Sequence, residues 1–224
     1  MKKLVIVGLG ETAELACDYF TADSDYEVVA FVGEQKYLEQ NPDLRTKEGR
    51  PIVALERLTE LYPPQEVEAF IGISYPKLNH DRSRFFYQLK DMGYRLPSFI
   101  SSKATVHPTV KIGENCFIME DNILQRNVTI GDNVILWCGN HIGHRSSIGS
   151  HTFVSCHVAV SGFCTVGEYC FLAINSALGN HITIADHNFI GAGVTITHDT
   201  NPGELYRLPK LEPHRLSTKI ICGY

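Results

Sequence analysis

The 224-residue chain lacks most of the features that mark specialised protein classes. Its longest apolar run near the start, Leu4 to Leu9, is too short for a bilayer span or a signal segment and is closely followed by Glu11 and Glu14. This predicts a cytoplasmic protein with no membrane partner. No charge of one sign is in surplus enough for nucleic acid, because 20 Lys and Arg stand against 25 Asp and Glu for a net charge of −5, with no basic cluster on which a phosphate backbone could settle. Cysteines number seven, an odd count, and no Cys-x-x-Cys pair occurs, so neither a disulfide frame nor a thiolate zinc site is expected. What remains is an ordinary globular composition, 44% hydrophobic and 20% charged, in a chain long enough for one large domain or two small ones.

The second half is periodic. Stepping in sixes from Val106 through Ile112, Ile118 and Leu124 to Ile190 and Ile196 meets Val, Ile or Leu every time, where each has about one chance in five at random. A fixed aliphatic every six residues fits a parallel β-helix whose side and corner are one hexapeptide; three sides make a coil of eighteen residues, and 106 to 196 gives about five coils. The position two before each aliphatic should also point inward and holds small residues, Val and Asn, among them Cys116, Asn122, Val128, Asn140 and Ser146. Asn suits it by tolerating left-handed backbone and pairing with stacked neighbours. Gly113, Gly131, Gly149 and Gly167 recur every eighteen residues, as expected if one corner repeatedly needs a permissive backbone.

The first hundred residues alternate strand and helix: strands at Leu4 to Val7, Tyr26 to Val32 and Val67 to Ile73, helices after Gly10 (Ala13, Leu15, Ala16 and Phe20 inward), at Ala54 to Leu61 and at Asn79 to Met92. Gly8, Gly10 and Ala13 with Glu34 downstream mimic a dinucleotide fingerprint, in which N–H groups at a helix start hold phosphate; the same glycines would also serve a plain tight turn. So small a domain favours a mononucleotide. Pro97 and Ser101 to Lys103 mark its end.

The sixfold pattern resembles the hexapeptide-repeat, left-handed β-helix acyltransferases. With the preceding α/β segment the chain is similar over nearly its whole length to bacterial nucleotide-amino-sugar N-acetyltransferases of the bacillosamine and perosamine type, and to sialic-acid O-acetyltransferases. The resemblance implies a Rossmann-like α/β domain for the sugar nucleotide (1–100), a left-handed β-helix for acetyl-CoA (101–198) and an extended C-terminal arm (199–224), which Pro202, Pro209 and Pro213 keep from being helical. It implies acetyl transfer from acetyl-CoA, without a metal, to a nucleotide-linked amino sugar, for example a dTDP-, UDP- or GDP-4-amino-4,6-dideoxyhexose of surface polysaccharide synthesis.

Acetyl transfer to an amine needs a base for its proton and a donor for the carbonyl oxygen. In the family a catalytic His stands four residues before an Ile-Gly pair and is followed by an acid. Here that place is His144, and Arg145 stands where the acid is expected. His144 then has no evident partner to fix its tautomer, and a polar corner residue without a proton-transfer role is the alternative reading. One coil on, Ser161 and Gly162 are oxyanion candidates; Ala173, Ile174, Gly191 and Ala192 supply small residues where the pantetheine arm would run, or simply pack tight corners. In the α/β domain Gly8, Gly10, Glu11, Thr12, Glu34, Ser74 and Tyr75 are the candidate sugar-nucleotide residues, with Thr12 replacing the family's His.

Aliphatic and aromatic surface such as Trp137, Phe153, Phe163 and Phe171 would need cover, which the family provides as a homotrimer with sites between subunits. Other readings are an O-acetyltransferase, or a non-catalytic or zinc-binding prism using imidazoles such as His141, His151, His157, His181 and His187. Cys138 and Cys156, eighteen apart, should stack as small residues.

Overall fold

The computed structural model describes residues 1–223, so the end of the expected arm, Tyr224, lies outside the described residues. Strand β1 (Lys2–Val7) is paired in parallel with β2 (Tyr26–Gly33) on one side and β5 (Val67–Ile71) on the other. Between them come α1 (Glu11–Ala22), α2 (Gln35–Gln40), β3 (Thr46–Lys47), β4 (Arg50–Ala54) and α3 (Leu58–Leu61), and α4 (His80–Asp91) follows β5. The sheet order is β3-β4-β2-β1-β5, parallel except for β3. The hairpin β3–β4 and helix α2 carry no strong period and escape a reading by pattern. The helix expected at Ala54 to Leu61 is shorter, a 3₁₀ turn at Leu55–Arg57 leading into α3. Helix α1 buries Thr12, Ala13, Ala16, Cys17 and Phe20; Leu15, expected inside, is only half-buried, because the helix is turned so that its small residues meet the sheet. Among the described residues no helix is long and apolar enough to cross a membrane.

From Phe99 onward two-residue strands repeat every six residues and stack in parallel in three sheets of seven, six and five strands, in keeping with a left-handed β-helix. Partners lie eighteen residues apart, as in Ile123↔His141 and His141↔Ala159, until the last pair, Phe189↔Leu205, which is sixteen apart. The prism takes in Phe99–Ile100 and ends with Leu205–Tyr206, on either side of the expected 101–198. The arm is not wholly extended: it closes in a short helix, α5 (Thr218–Cys222), which the Ser217 hydroxyl caps by accepting from the Ile220 N–H.

The interior is a column of aliphatics every six residues, joined by buried residues two positions earlier such as Cys116, Asn122, Val128, Asn140 and Ser146. Left-handed backbone falls one residue before those, not on them. From Asn115 to Gly193 every sixth residue has φ between 51° and 76°, including Arg145, His151, Phe163 and Tyr169. Such a conformation costs roughly 1–2 kcal/mol for an L-residue outside glycine. At most of these corners it turns the N–H onto a carbonyl nineteen residues back, as in Phe163 N–H to His144 O at 2.9 Å and Tyr169 N–H to Ser150 O at 3.1 Å, while the Asn127 N–H meets the Thr109 hydroxyl at 2.8 Å. Ring stacking adds to this, with Phe163 on His181 at 4.5 Å and Tyr169 on His187 at 5.0 Å. Gly113, Gly131, Gly149 and Gly167 therefore do not supply positive φ. They are required by proximity, since a Cβ on Gly149 would lie 2.5 Å from the Gly167 carbonyl of the next coil.

The α/β domain rests on the face bearing Phe117, Phe153 and Phe171, where Phe20 and Phe70 join one apolar cluster with them. Phe153 and Phe171 are thus only 3% and 8% exposed, and Trp137 packs against the same cluster. Within the chain, two of the four aromatics expected to need a second copy are already covered and Trp137 partly so; Phe163, 41% exposed on another edge, is not. Arg82 of α4 locks the two parts together. Its guanidinium is fully buried and donates to the Asn133 carbonyl at 3.2 Å, to His151 O at 2.9 Å and to Ser74 O. Asn79, also fully buried, donates to Cys170 O at 3.0 Å.

Candidate active site

His144 stands on the corner that follows the strand His141–Ile142. Its Nδ1 lies 3.2 Å from Oε1 of Gln125, which also accepts the His144 backbone N–H at 2.9 Å. Gln125 is the residue one coil below Gly143, and it fills the orienting role that Arg145 cannot. With the amide oxygen accepting from Nδ1–H, the imidazole is held in the tautomer whose Nε2 is an acceptor. Arg145 points its guanidinium instead toward the Phe163 ring, 5.7 Å from the centroid. The periodic pattern gives no signal for Gln125; only the eighteen-residue register, applied to polar corner residues, would have singled it out.

Gly162 is in the next coil, directly against His144. A Cβ there would sit 2.6 Å from Cε1 and 2.9 Å from Nε2 of the imidazole, so only glycine lets the ring lie where it does. The Ser161 N–H is engaged by Leu178 O at 3.2 Å, whereas the Gly162 N–H has no partner among the described residues. An acceptor nitrogen and an unpaired donor thus meet at one edge, as proton removal and oxyanion stabilisation require. The ring of Phe163 stands edge-on to His144 at 5.0 Å. Beneath lies a largely apolar groove of about 590 Å³ lined by Val106, Pro108, Ile123, Leu124, Gln125 and His144.

Ala173, Ile174, Gly191 and Ala192 belong to a different edge, above Cys138 and Cys156. The strands His141–Ile142 and Ala159–Val160 separate that edge from His144. Ala173 and Gly191 are buried while Ile174 and Ala192 are exposed. The two thiols stack as expected, Sγ to Sγ 3.5 Å, and burial followed by the Cys156 thiol pushes Cys138 up to about 11, so it stays protonated and is no nucleophile at neutral pH.

The glycine turn of the α/β domain opens a second cleft, about 300 Å³, bounded by Gly8, Leu9, Gly10, Gly33, Glu34, Tyr37 and Phe85. Gly8 adopts φ 129°, and a Cβ on it would lie 2.6 Å from Gly72 O, whereas a Cβ on Gly10, at the start of α1, would meet nothing within 4 Å. The turn therefore brings backbone to the mouth of the cleft and leaves it open there. Glu34 is held by Arg84 through contacts of 2.9 and 3.2 Å. Glu11 is exposed beside the turn and Thr12 is buried beneath it. Ser74 and Tyr75 do not line this cleft: the Ser74 carbonyl is bound by Arg82, and the Tyr75 ring lies across Phe153 and Phe171 at 5.0 and 4.7 Å. Of the histidines considered as metal ligands, His151 is buried between Tyr87 and Asn133, while His181 and His187 lie in ring stacks.

Residues 109–144 and 163–198 match the bacterial transferase hexapeptide (six repeats) family. The repeats of the prism are similar to those of that family. No curated protein matches this chain. Among solved structures the chain is similar to the acetyltransferase domain of PglB from Neisseria gonorrhoeae in complex with acetyl coenzyme A (TM-score 0.81, 21% identity, 91% of this chain and 95% of that one). It is similar also to PerB from Caulobacter crescentus in complex with CoA and GDP-perosamine (0.80, 24%, 92% and 93%) and to WeeI from Acinetobacter baumannii (0.55, 15%, 89% and 96%). The shared architecture spans the α/β domain and the prism together.

Proposed function

We propose that this protein is an acetyl-CoA-dependent N-acetyltransferase acting on a nucleotide-linked amino sugar, of the dTDP-, UDP- or GDP-4-amino-4,6-dideoxyhexose type, in surface polysaccharide synthesis in the cytoplasm. The observation that carries the reading is the meeting of His144 Nε2 with the unpaired Gly162 N–H, behind an imidazole oriented by Gln125. The bound CoA and GDP-perosamine of the PerB structure lend it support.

In this reading the sugar amine, unprotonated, attacks the thioester carbonyl. A C–N bond forms, the carbonyl oxygen gathers charge against the Gly162 N–H, and the surplus amine proton passes to His144 Nε2. Collapse breaks the C–S bond, and the proton is returned to the departing sulfur. Gln125 is neutral, so it orients the imidazole without the charge an Asp or Glu would bring to an imidazolium. This favours an amine acceptor over a hydroxyl, which needs a stronger base. Ala173, Ile174, Gly191 and Ala192 line the pantetheine path together with Ser161, and Gly8, Gly10, Glu11, Thr12 and Glu34 hold the nucleotide, with Ser74 and Tyr75 between it and the prism.

The pantetheine edge and the His144 edge are separated by a face of the same prism, and in a three-sided prism the His144 edge lies opposite the face that carries the α/β domain. One thioester can meet both edges only if a second copy brings its own edge against His144. A homotrimer with sites between copies does this. The test is thiol release from acetyl-CoA with a panel of dTDP-, UDP- and GDP-linked 3- and 4-amino sugars and free sialic acid. Turnover of a nucleotide amino sugar is the expected result, and silence across the panel from a folded oligomer would overturn the reading.

A further inference from the structure

The arm differs from the rest of the chain in charge. Between residues 207 and 219 it carries Arg207, Lys210, Arg215 and Lys219 against one acid, Glu212, in a protein whose net charge is −5. Every residue of this stretch is exposed, and none of the four cations is in an ion pair among the described residues. Pro209 and Pro213 limit the conformations the strap can take, which lowers the cost of ordering it on a ligand.

Its origin is fixed. Leu205–Tyr206 closes the prism as a last strand, and the Gly191 N–H donates to Tyr206 O at 2.7 Å. A Cβ on Gly191 would lie 2.7 Å from that oxygen, and one on Gly193 3.5 Å from the Leu208 side chain. The strap thus leaves the prism over the small residues along which the pantetheine is proposed to run. His144 and Gly162 sit in lower coils, with Ala173–Ile174 and Gly191–Ala192 successively higher. A cofactor whose thioester is at His144 therefore has its phosphate-bearing end at the top, where the strap emerges.

We propose that Arg207, Lys210, Arg215 and Lys219 bind the pyrophosphate and 3′-phosphate of coenzyme A. The inference rests on the acetyl-CoA reading above. Guanidinium and ammonium groups are the chemistry that recognises a phosphate cluster, and charge-assisted bonds to it are about twice as strong as neutral ones.

The test is calorimetric titration of the whole protein with coenzyme A and with 3′-dephospho-coenzyme A. The native protein should bind coenzyme A about tenfold or more tighter than the dephospho form. The combined Arg207→Gln, Lys210→Gln, Arg215→Gln and Lys219→Gln variant should lose that preference and bind coenzyme A correspondingly more weakly, at an unchanged thermal midpoint because the strap is exposed. A chain ending at Tyr206 should behave like the variant. Preference retained in both altered chains overturns the assignment and leaves the acetyltransferase reading standing. No binding of either compound by the native protein overturns both.

Discussion

The glycine turn of the α/β domain and the His144 edge of the prism differ in how much of a site a single chain builds. The turn is finished: Gly8 is fixed by its φ and by Gly72, the cleft walls come from the sheet with α2 and α4 of the same domain, and a Cβ could be added at Gly10 without contact. The edge is unfinished. It presents an oriented imidazole, an unpaired N–H and an open apolar groove, and the proposed pantetheine path lies on another edge, beyond the strands His141–Ile142 and Ala159–Val160. Binding of a sugar nucleotide should therefore be a property of the chain, and acetyl transfer a property of the assembly.

The sharpest way to break this comparison is complementation. His144→Asn should lose about 10²-fold or more in turnover while still binding the sugar nucleotide. Gly10→Asp should fold, since its Cβ has open space, and should repel the phosphates. Co-expressed, the two dead variants should recover a measurable share of native thiol release, because a mixed oligomer contains sites built from the sound half of each. Co-assembled variants that stay inactive would mean that one chain holds both halves.

Smaller in effect is Gly162→Ala, whose methyl displaces the His144 ring from 2.6 Å. A misplacement of that order costs on the order of 10²-fold in kcat, with KM for the sugar nucleotide unchanged. Gln125→Ala removes only the orienting bond, so a loss of about tenfold is expected. Gln125→Glu should keep turnover and shift its pH profile toward higher pH, and an unmoved profile would show that Gln125 does not act through His144.

The last prediction concerns the junction between the regions. Burial, then the Arg82 charge, lowers His151 to about 4 from 6.5, with Asp132 opposing and His80 adding to the fall. Imidazole neutral in the fold takes up a proton more readily when unfolded, so this stability is present above pH 6.5 and is lost as pH falls toward about 4. Thermal midpoints measured across that range should fall more steeply for the native protein than for His151→Gln.

The two regions were not equally legible in the sequence. Stacked neighbours in the prism are eighteen residues apart up to the last strand, so one period fixes the inner column, the strands from Phe99 to Ile196 and the Cys138–Cys156 pair. The corner conformation was misplaced by one residue, because Asn122 and Asn140 occur where an amide is useful for bonding carbonyls (Met119 O, Trp137 O) rather than where φ is positive. In the α/β domain contacts join elements with no fixed separation, so strands and the Gly8 turn could be read while the covering of Phe153 and Phe171 could not. Arg82 is the clearest case: an arginine in a polar helix reads as a surface charge, and only its docking against the corner carbonyls of Asn133 and His151 places it in the interior.

The nineteen-residue bond that recurs at the left-handed corners makes position along the prism an address with two coordinates, height and edge. Adding or removing eighteen residues upstream of His144 changes its height by one coil, about 4.8 Å, and leaves it on the same edge. Adding or removing six rotates it to a neighbouring edge, away from its groove, though every aliphatic still points inward. The fold is thus indifferent to hexapeptide insertions that would abolish its chemistry, and a lineage of such proteins can lengthen freely only in whole turns.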